Sequence, residues 1–235
     1  MDEKIGAVVL AAGQGKRMHT SVAKQFLELK GRPLITYALS TFQKSPVHEI
    51  VLVTGPEYLD YCQKEIVEAY GFTKVKAVVA GGRERYHSVY EGLKALDRLG
   101  GVDSVLIHDG ARPLVTETII RRSIDGVREF KACVAGMPVK DTIKICDADG
   151  FGAGTPDRSS LWQIQTPQSF SFPLILDAYR RILSRPEGQE GITDDAMVIE
   201  SMTDCRVKLI QGDYQNIKVT TPEDILIAEA LLDQA

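Results

Sequence analysis

The sequence predicts an α/β fold built on a doubly wound, mostly parallel sheet, and two observations carry that expectation. Four short runs are apolar without alternation: Ile5–Leu10, Ile50–Val53, Val75–Val79 and Ser104–Ile107. Strands that are apolar on both faces suit a sheet covered on two sides. Between them, 33–42, 58–69, 88–99 and 117–130 carry apolar residues at three- and four-residue spacing. That spacing marks helices with one buried stripe, and strand–helix alternation marks a doubly wound sheet.

The rhythm changes near residue 132. Cys133–Val139 is a further strand candidate. Thr142–Cys146 then alternates, Asp147-Ala-Asp-Gly150 reads as a turn, and Gln163–Gln168 looks extended. Residues 139–167 are therefore expected to form a small β-arm projecting from a single domain spanning 1–235. Its exposed edges call for a cover, which a second subunit would supply. Helices are expected to resume at 173–184 and 194–201, with a linker-like stretch at 184–191. Thr221-Pro-Glu-Asp224 opens a last helix with a capping threonine, proline at the first helical position and acids in the first turn.

Composition narrows the function classes. A net charge of −4 over 235 residues gives no reason to expect a nucleic-acid or membrane-surface partner. Four scattered cysteines, with no C-x-x-C pair, argue against a zinc site or disulfide framework and favour reduced thiols and a cytoplasmic location. No run approaches the roughly 20 apolar residues of a membrane span.

The chemistry-bearing motifs follow the strands. After the first comes Ala11-Ala-Gly-Gln-Gly-Lys-Arg-Met18, in a stretch from Ile5 to Leu27 that holds Lys16, Arg17 and Lys24 but no acidic residue. Small residues let backbone N–H groups close on a phosphate, and the cations favour a polyanion. The loop is not a Walker A motif, because position 10 is leucine and Lys16 is followed by arginine. Nor does it complete a dinucleotide fingerprint, since position 18 is methionine. After the fourth strand, His108-Asp-Gly-Ala-Arg-Pro113 places Asp109 on the rim where such sheets bind ligands. One carboxylate there suits Mg²⁺, which takes one or two carboxylates plus substrate phosphates. Arg112 is either a bidentate anion contact or the partner of an ion pair that shapes the loop. Gly81-Gly82 and Ser88 open a helix that either caps itself or reads a ligand. Lys218, on an expected strand Asn216–Thr220, points either to solvent or into the site, and Thr193-Asp194-Asp195 reads first as a helix cap.

Taken in order, these stretches resemble one family closely, the 2-C-methyl-D-erythritol 4-phosphate cytidylyltransferases. The resemblance runs through Ala11–Met18, Lys24-Gln25, Gly81–Arg85, His108–Pro113, Pro138–Thr142, Asp157-Arg158, Gln165–Gln168, Thr193-Asp194 and Asn216–Asp224. It implies a Rossmann-like fold of the nucleotide-diphospho-sugar transferase type, CTP and Mg²⁺, and a homodimer clasped through the arm. Carried over by position, Ala12, Gly13, Gly15 and Lys16 cradle the triphosphate. Arg17, Lys24 and Lys218 neutralise it around the α-phosphorus. Gly82 and Ser88 lie by the cytosine and ribose, and Asp109 by the metal and substrate. Arg112, Thr142 and Thr193 contact the sugar phosphate, with Arg158 and Thr166 reaching in from the partner. Ribitol 5-phosphate cytidylyltransferase is the alternative with the same loop. Arg83 departs from the family pattern, where aspartate is common.

Overall fold

A computed structural model describes residues 3–13, 23–185 and 189–234. Its centre is a seven-stranded sheet: β1 (Ile5–Ala11), β2 (Glu49–Thr54), β3 (Val75–Ala80), β4 (Ser104–Asp109), β5 (Ala132–Pro138), β6 (Trp162–Ser171) and β7 (Lys208–Gln211). The spatial order is β7-β5-β6-β4-β1-β2-β3. Only β6 pairs antiparallel to its neighbours, so the sheet is mixed and mostly parallel.

The apolar runs form strands because both faces are covered. Ala7, Val9 and Ala11 of β1 turn to one core, shared with Leu39 and Phe42 of α1 (Ile35–Lys44) and Ile120 of α2 (Glu117–Phe130). Val8 turns to the other core, with Leu93 of α3 (Arg85–Arg98), Tyr179 of α4 (Phe172–Leu183) and Ile199 of α5 (Asp195–Met202). One glycine makes this layering close: a Cβ on Gly92 would lie 2.4 Å from Val8 Cγ1, so α3 seats directly on β1. The last helix, α6 (Pro222–Leu232), begins at the expected threonine, which forms a capping box with Asp224, the Thr221 N–H donating to Asp224 Oδ2 at 2.8 Å.

Four details differ from the sequence reading. Residues 162–167, assigned to the arm, are the first part of β6, where Trp162, Gln163 and Ile164 pair with Pro138, Met137 and Gly136. The strand is hard to see because four of its six buried positions are polar: Gln165, Thr166, Gln168 and Ser169. What lies outside the main sheet is the exposed stretch between Pro138 and Trp162, with a two-stranded pairing of Ile145–Cys146 and Gly152–Gly154. The helix expected at 58–69 is irregular, tight at Pro56–Tyr58 and wide at Cys62–Glu68. Asn216–Thr220 lies in no strand, and four-residue β7, too short to stand out in the sequence, takes the sheet edge.

A buried histidine joins β4 to β6. His108 is fully buried; its Nε2 donates to the Arg112 carbonyl at 3.1 Å, which assigns Nδ1 as acceptor from the Thr166 hydroxyl at 3.0 Å. The Thr166 oxygen in turn accepts the Asp109 N–H at 3.1 Å. Burial pushes the imidazole down to about 4, so it is neutral in the fold. The unfolded chain takes up this proton as pH falls through about 6.5, so the contribution is complete above that value and is lost toward pH 4. Denaturant unfolding at pH 7 and pH 5 should show a loss of about 2 kcal/mol from this group, a difference that His108→Gln removes.

Candidate active site

The strands β1 to β4 end on one rim, and a cleft of about 610 Å³ opens there. Each strand exit supplies a wall: Ala12 and Gly13 after β1, Gly55–Glu57 after β2, Gly81–Arg85 after β3, and Asp109 with Ala111 after β4. Lys24, Gln25, Lys218 and Thr220 complete it.

Local sequence explains the walls. A Cβ on Gly81 would lie 2.6 Å from both Ala12 Cβ and Ser88 Oγ, and one on Gly82 2.4 Å from His87 Cβ. Only glycines let the β3 exit pass between the β1 loop and α3. The Gly82 N–H donates to Ser88 Oγ at 3.1 Å, so Ser88 lies buried beneath the turn. Glu84 and His87 form a reciprocal capping box that starts α3 at Arg85. Gln25, also buried, donates through Nε2 to the carbonyls of Ala11 and Gly13, pinning the chain as it leaves β1.

Lys218 reaches the cleft because its segment is sewn to β6. Asn216 Nδ2 donates to the Thr166 carbonyl at 2.9 Å and to Gln165 Oε1 at 3.2 Å. Arg112 Nη1 donates to the Asn216 carbonyl at 2.7 Å, and the Val219 N–H to the Ala111 carbonyl at 2.8 Å. Lys24 Nζ donates to the Val219 carbonyl at 3.1 Å, which puts the two lysines on one wall although they are far apart in sequence.

At the floor, Asp109 is held by two cations. Lys218 Nζ lies 2.6 Å from Oδ2 and Arg85 Nε 3.2 Å from Oδ1. Burial by itself would raise the carboxyl; Arg85 and Lys218, with Arg112 behind them, outweigh it and hold Asp109 well below the usual carboxylate range. Arg85 also grips Asp195, Nη1 to Oδ1 at 2.9 Å and Nη2 to Oδ2 at 2.8 Å. The Tyr179 hydroxyl donates to Asp195 Oδ1 at 2.5 Å.

Of the residues singled out in the sequence, Ala12, Gly13, Lys24, Gly82, Ser88, Asp109 and Lys218 meet around the cleft. Gly15, Lys16 and Arg17 lie outside the described residues. Lys218 turns inward to Asp109, not to solvent. Arg112 directs its terminal nitrogens at backbone carbonyls of Asn216 and Ile164, making it a strut between chain segments. Thr166 is buried against its own chain's His108 and Asp109 rather than projecting outward. Thr142 and Arg158 are exposed on the projecting stretch, where Arg158 Nη1 donates to the Lys140 carbonyl at 2.9 Å, and Thr193 is exposed before α5. Among the cleft residues without an expected role are Arg85 and Gln25, both of which hydrogen-bond its walls. A cation at the first position of a helix, against the helix dipole, was the available signal for Arg85. Among the described residues no group of three or more His, Cys, Asp or Glu could hold a metal ion, and no helix is long and apolar enough to cross a membrane.

The family model described as IspD, 2-C-methyl-D-erythritol 4-phosphate cytidylyltransferase, matches residues 5–234. A protein of that name from Lachnoclostridium phytofermentans is 47% identical over 230 residues, covering 98% of this chain and 97% of the relative. One from Lachnospira eligens is 47% identical over 227 residues, covering 96% and 98%. The crystal structure of 4-diphosphocytidyl-2C-methyl-D-erythritol synthase from Anaerococcus prevotii superposes with a TM-score of 0.84 at 36% identity, covering 98% of this chain and 96% of that one. The Thermus thermophilus enzyme superposes at 0.76 with 27% identity, covering 96% and 98%. The chain therefore belongs to the 2-C-methyl-D-erythritol 4-phosphate cytidylyltransferase family.

Proposed function

We propose that this chain transfers the cytidylyl group of CTP to 2-C-methyl-D-erythritol 4-phosphate, giving 4-diphosphocytidyl-2-C-methyl-D-erythritol and pyrophosphate. Family membership across nearly the whole chain supports this activity over ribitol 5-phosphate cytidylyl transfer. The observation that carries the mechanism is the cleft wall where Lys24 and Lys218 converge beside the β1 loop and Asp109.

A phosphate oxygen of the methylerythritol phosphate attacks the α-phosphorus of CTP. A new P–O bond forms in line with the bond to the bridging oxygen that breaks, and the electron pair leaves with pyrophosphate. The nucleophile is already an anion, so no strong general base is needed; the barrier is the approach of two anions. Positioned cations and in-line alignment lower it. Lys24 and Lys218 neutralise the α-phosphate, with Arg17 and Lys16 completing the grip from the glycine-rich loop. Ala12, Gly13 and Gly15 admit the phosphates, and Gly82 with Ser88 forms the nucleoside side. A Mg²⁺ ion carried by the triphosphate would use Asp109 as its protein ligand and add charge neutralisation. One carboxylate with lone pairs left after its two cation contacts fits an ion held mostly by phosphate and water.

We also propose a homodimer clasped through the stretch between Pro138 and Trp162, with Thr142, Arg158 and Thr193 on the polyol-phosphate side and Arg112 and Thr166 framing it from within the fold. Exposed apolar side chains on that stretch, Phe151 at 72% and Ile145 at 56%, support a covered surface. A cytoplasmic location is part of the same reading, supported by four unpaired cysteines.

Pyrophosphate release should be fastest with CTP and methylerythritol phosphate; a higher kcat/KM with ribitol 5-phosphate would reverse the assignment. Lys24→Ala and Lys218→Ala should each lower kcat by roughly 10²–10³-fold in that assay. Phe151→Glu combined with Ile145→Glu should shift sedimentation from dimer toward monomer and reduce turnover, with the far-ultraviolet spectrum unchanged.

A further inference from the structure

We propose that Arg85 is a positioning residue that, anchored by buried Asp195, fixes the Asp109 carboxylate and through it the Lys218 ammonium for the incoming phosphates. This rests on the cytidylyl-transfer reading of the cleft. Arg85 heads α3, where the helix's positive end disfavours a cation, so local helix chemistry does not select it. The tertiary structure does. Asp195 is fully buried and would be costly without a partner; the guanidinium meets both of its oxygens, and the Tyr179 hydroxyl adds a third contact. Gln168 locks this carboxylate's backbone, its Oε1 accepting the N–H of Asp195 at 2.8 Å and of Ala196 at 3.1 Å. With its two terminal nitrogens committed to Asp195, Arg85 has its Nε turned to Asp109 Oδ1. That leaves Oδ2 facing Lys218 at 2.6 Å. A lysine at position 85 has one ammonium and cannot span both carboxylates in this way. The relay also ties the cleft to the start of α5, next to Thr193, so the nucleotide side and the expected polyol-phosphate side share one rigid brace.

The test is a double-mutant cycle in steady-state kinetics on the full chain. Arg85→Gln with Asp195→Asn replaces the ion pair by a neutral hydrogen-bonding pair and avoids a stranded buried charge; thermal unfolding reports that the fold is kept. Turnover should fall by roughly 10–10²-fold while KM for CTP moves less than about threefold, because alignment is lost and uniform binding is not. Arg85→Lys should fail to restore kcat. In a background carrying both Lys218→Met and Asp109→Asn, which leaves no stranded carboxylate, the paired substitution should cost almost nothing further. Costs that multiply between the two backgrounds, or an unchanged kcat, would overturn the proposal. Wild-type turnover with each polyol phosphate tests the substrate reading separately. Independently of activity, a crystal structure of the paired variant should show Asp109 in more than one orientation; a single unchanged orientation would also count against it.

Discussion

The hold on one carboxylate organises much of this molecule. Asp109 sits at the end of a strand whose six residues are all buried, in a place where an unpaired charge would be costly. Its ionised state survives because Arg85 meets one of its oxygens and Lys218 the other, one from the start of α3 and one from the segment before α6. Meeting that requirement fixes several other features. The β3 exit must be made of two glycines so that α3 can begin beside β1, and the segment 216–220 must be sewn to β6 so that its lysine reaches Asp109 Oδ2. A site meant for polyanions thus keeps its cations ordered by balancing them against buried acids.

The balance has a chemical consequence. Among the described residues, Arg85 and Lys218 pair with Asp109 and Asp195, so the charge of these two cations is largely balanced before a nucleotide enters. In the sequence, the stretch from Ile5 to Leu27 adds Lys16, Arg17 and Lys24 and no acidic residue. Lys218 then works by placement more than by raw charge, consistent with phosphoryl-transfer chemistry that depends on alignment and preorganised charge. The antiparallel strand β6 is the silent partner. Its polar buried face, Gln165, Thr166 and Gln168, hydrogen-bonds the Lys218 segment, the Asp109 backbone and the start of α5.

Legibility in the sequence followed the range of the interactions. The strands β1 to β4 and helices such as Glu117–Phe130 stand out because burial on one or both faces writes a short-period pattern into consecutive residues. The capping box at Thr221 is equally local. The first part of β6 reads as arm because most of its buried positions are polar, and period rules read polar as exposed. β7 was missed because four residues at a sheet edge carry too little pattern. In the cleft, Asp109, Lys24 and Lys218 are legible from the order of motifs, whereas the hydrogen bonds by which Arg112 and Thr166 brace the chain from within are not.

Fold class, the rim on which the cleft opens and family membership are all written in residue order, because each depends on local periodicity or on motifs in fixed sequence. The tertiary structure alone decided which charges meet. Asp109, Arg85, Asp195 and Lys218 lie up to 109 or 110 positions from their partners, and only folding brings them within hydrogen-bonding reach. Pairing across such separations leaves no periodic trace in the chain, since it is set by where strands end and helices begin rather than by neighbours in sequence.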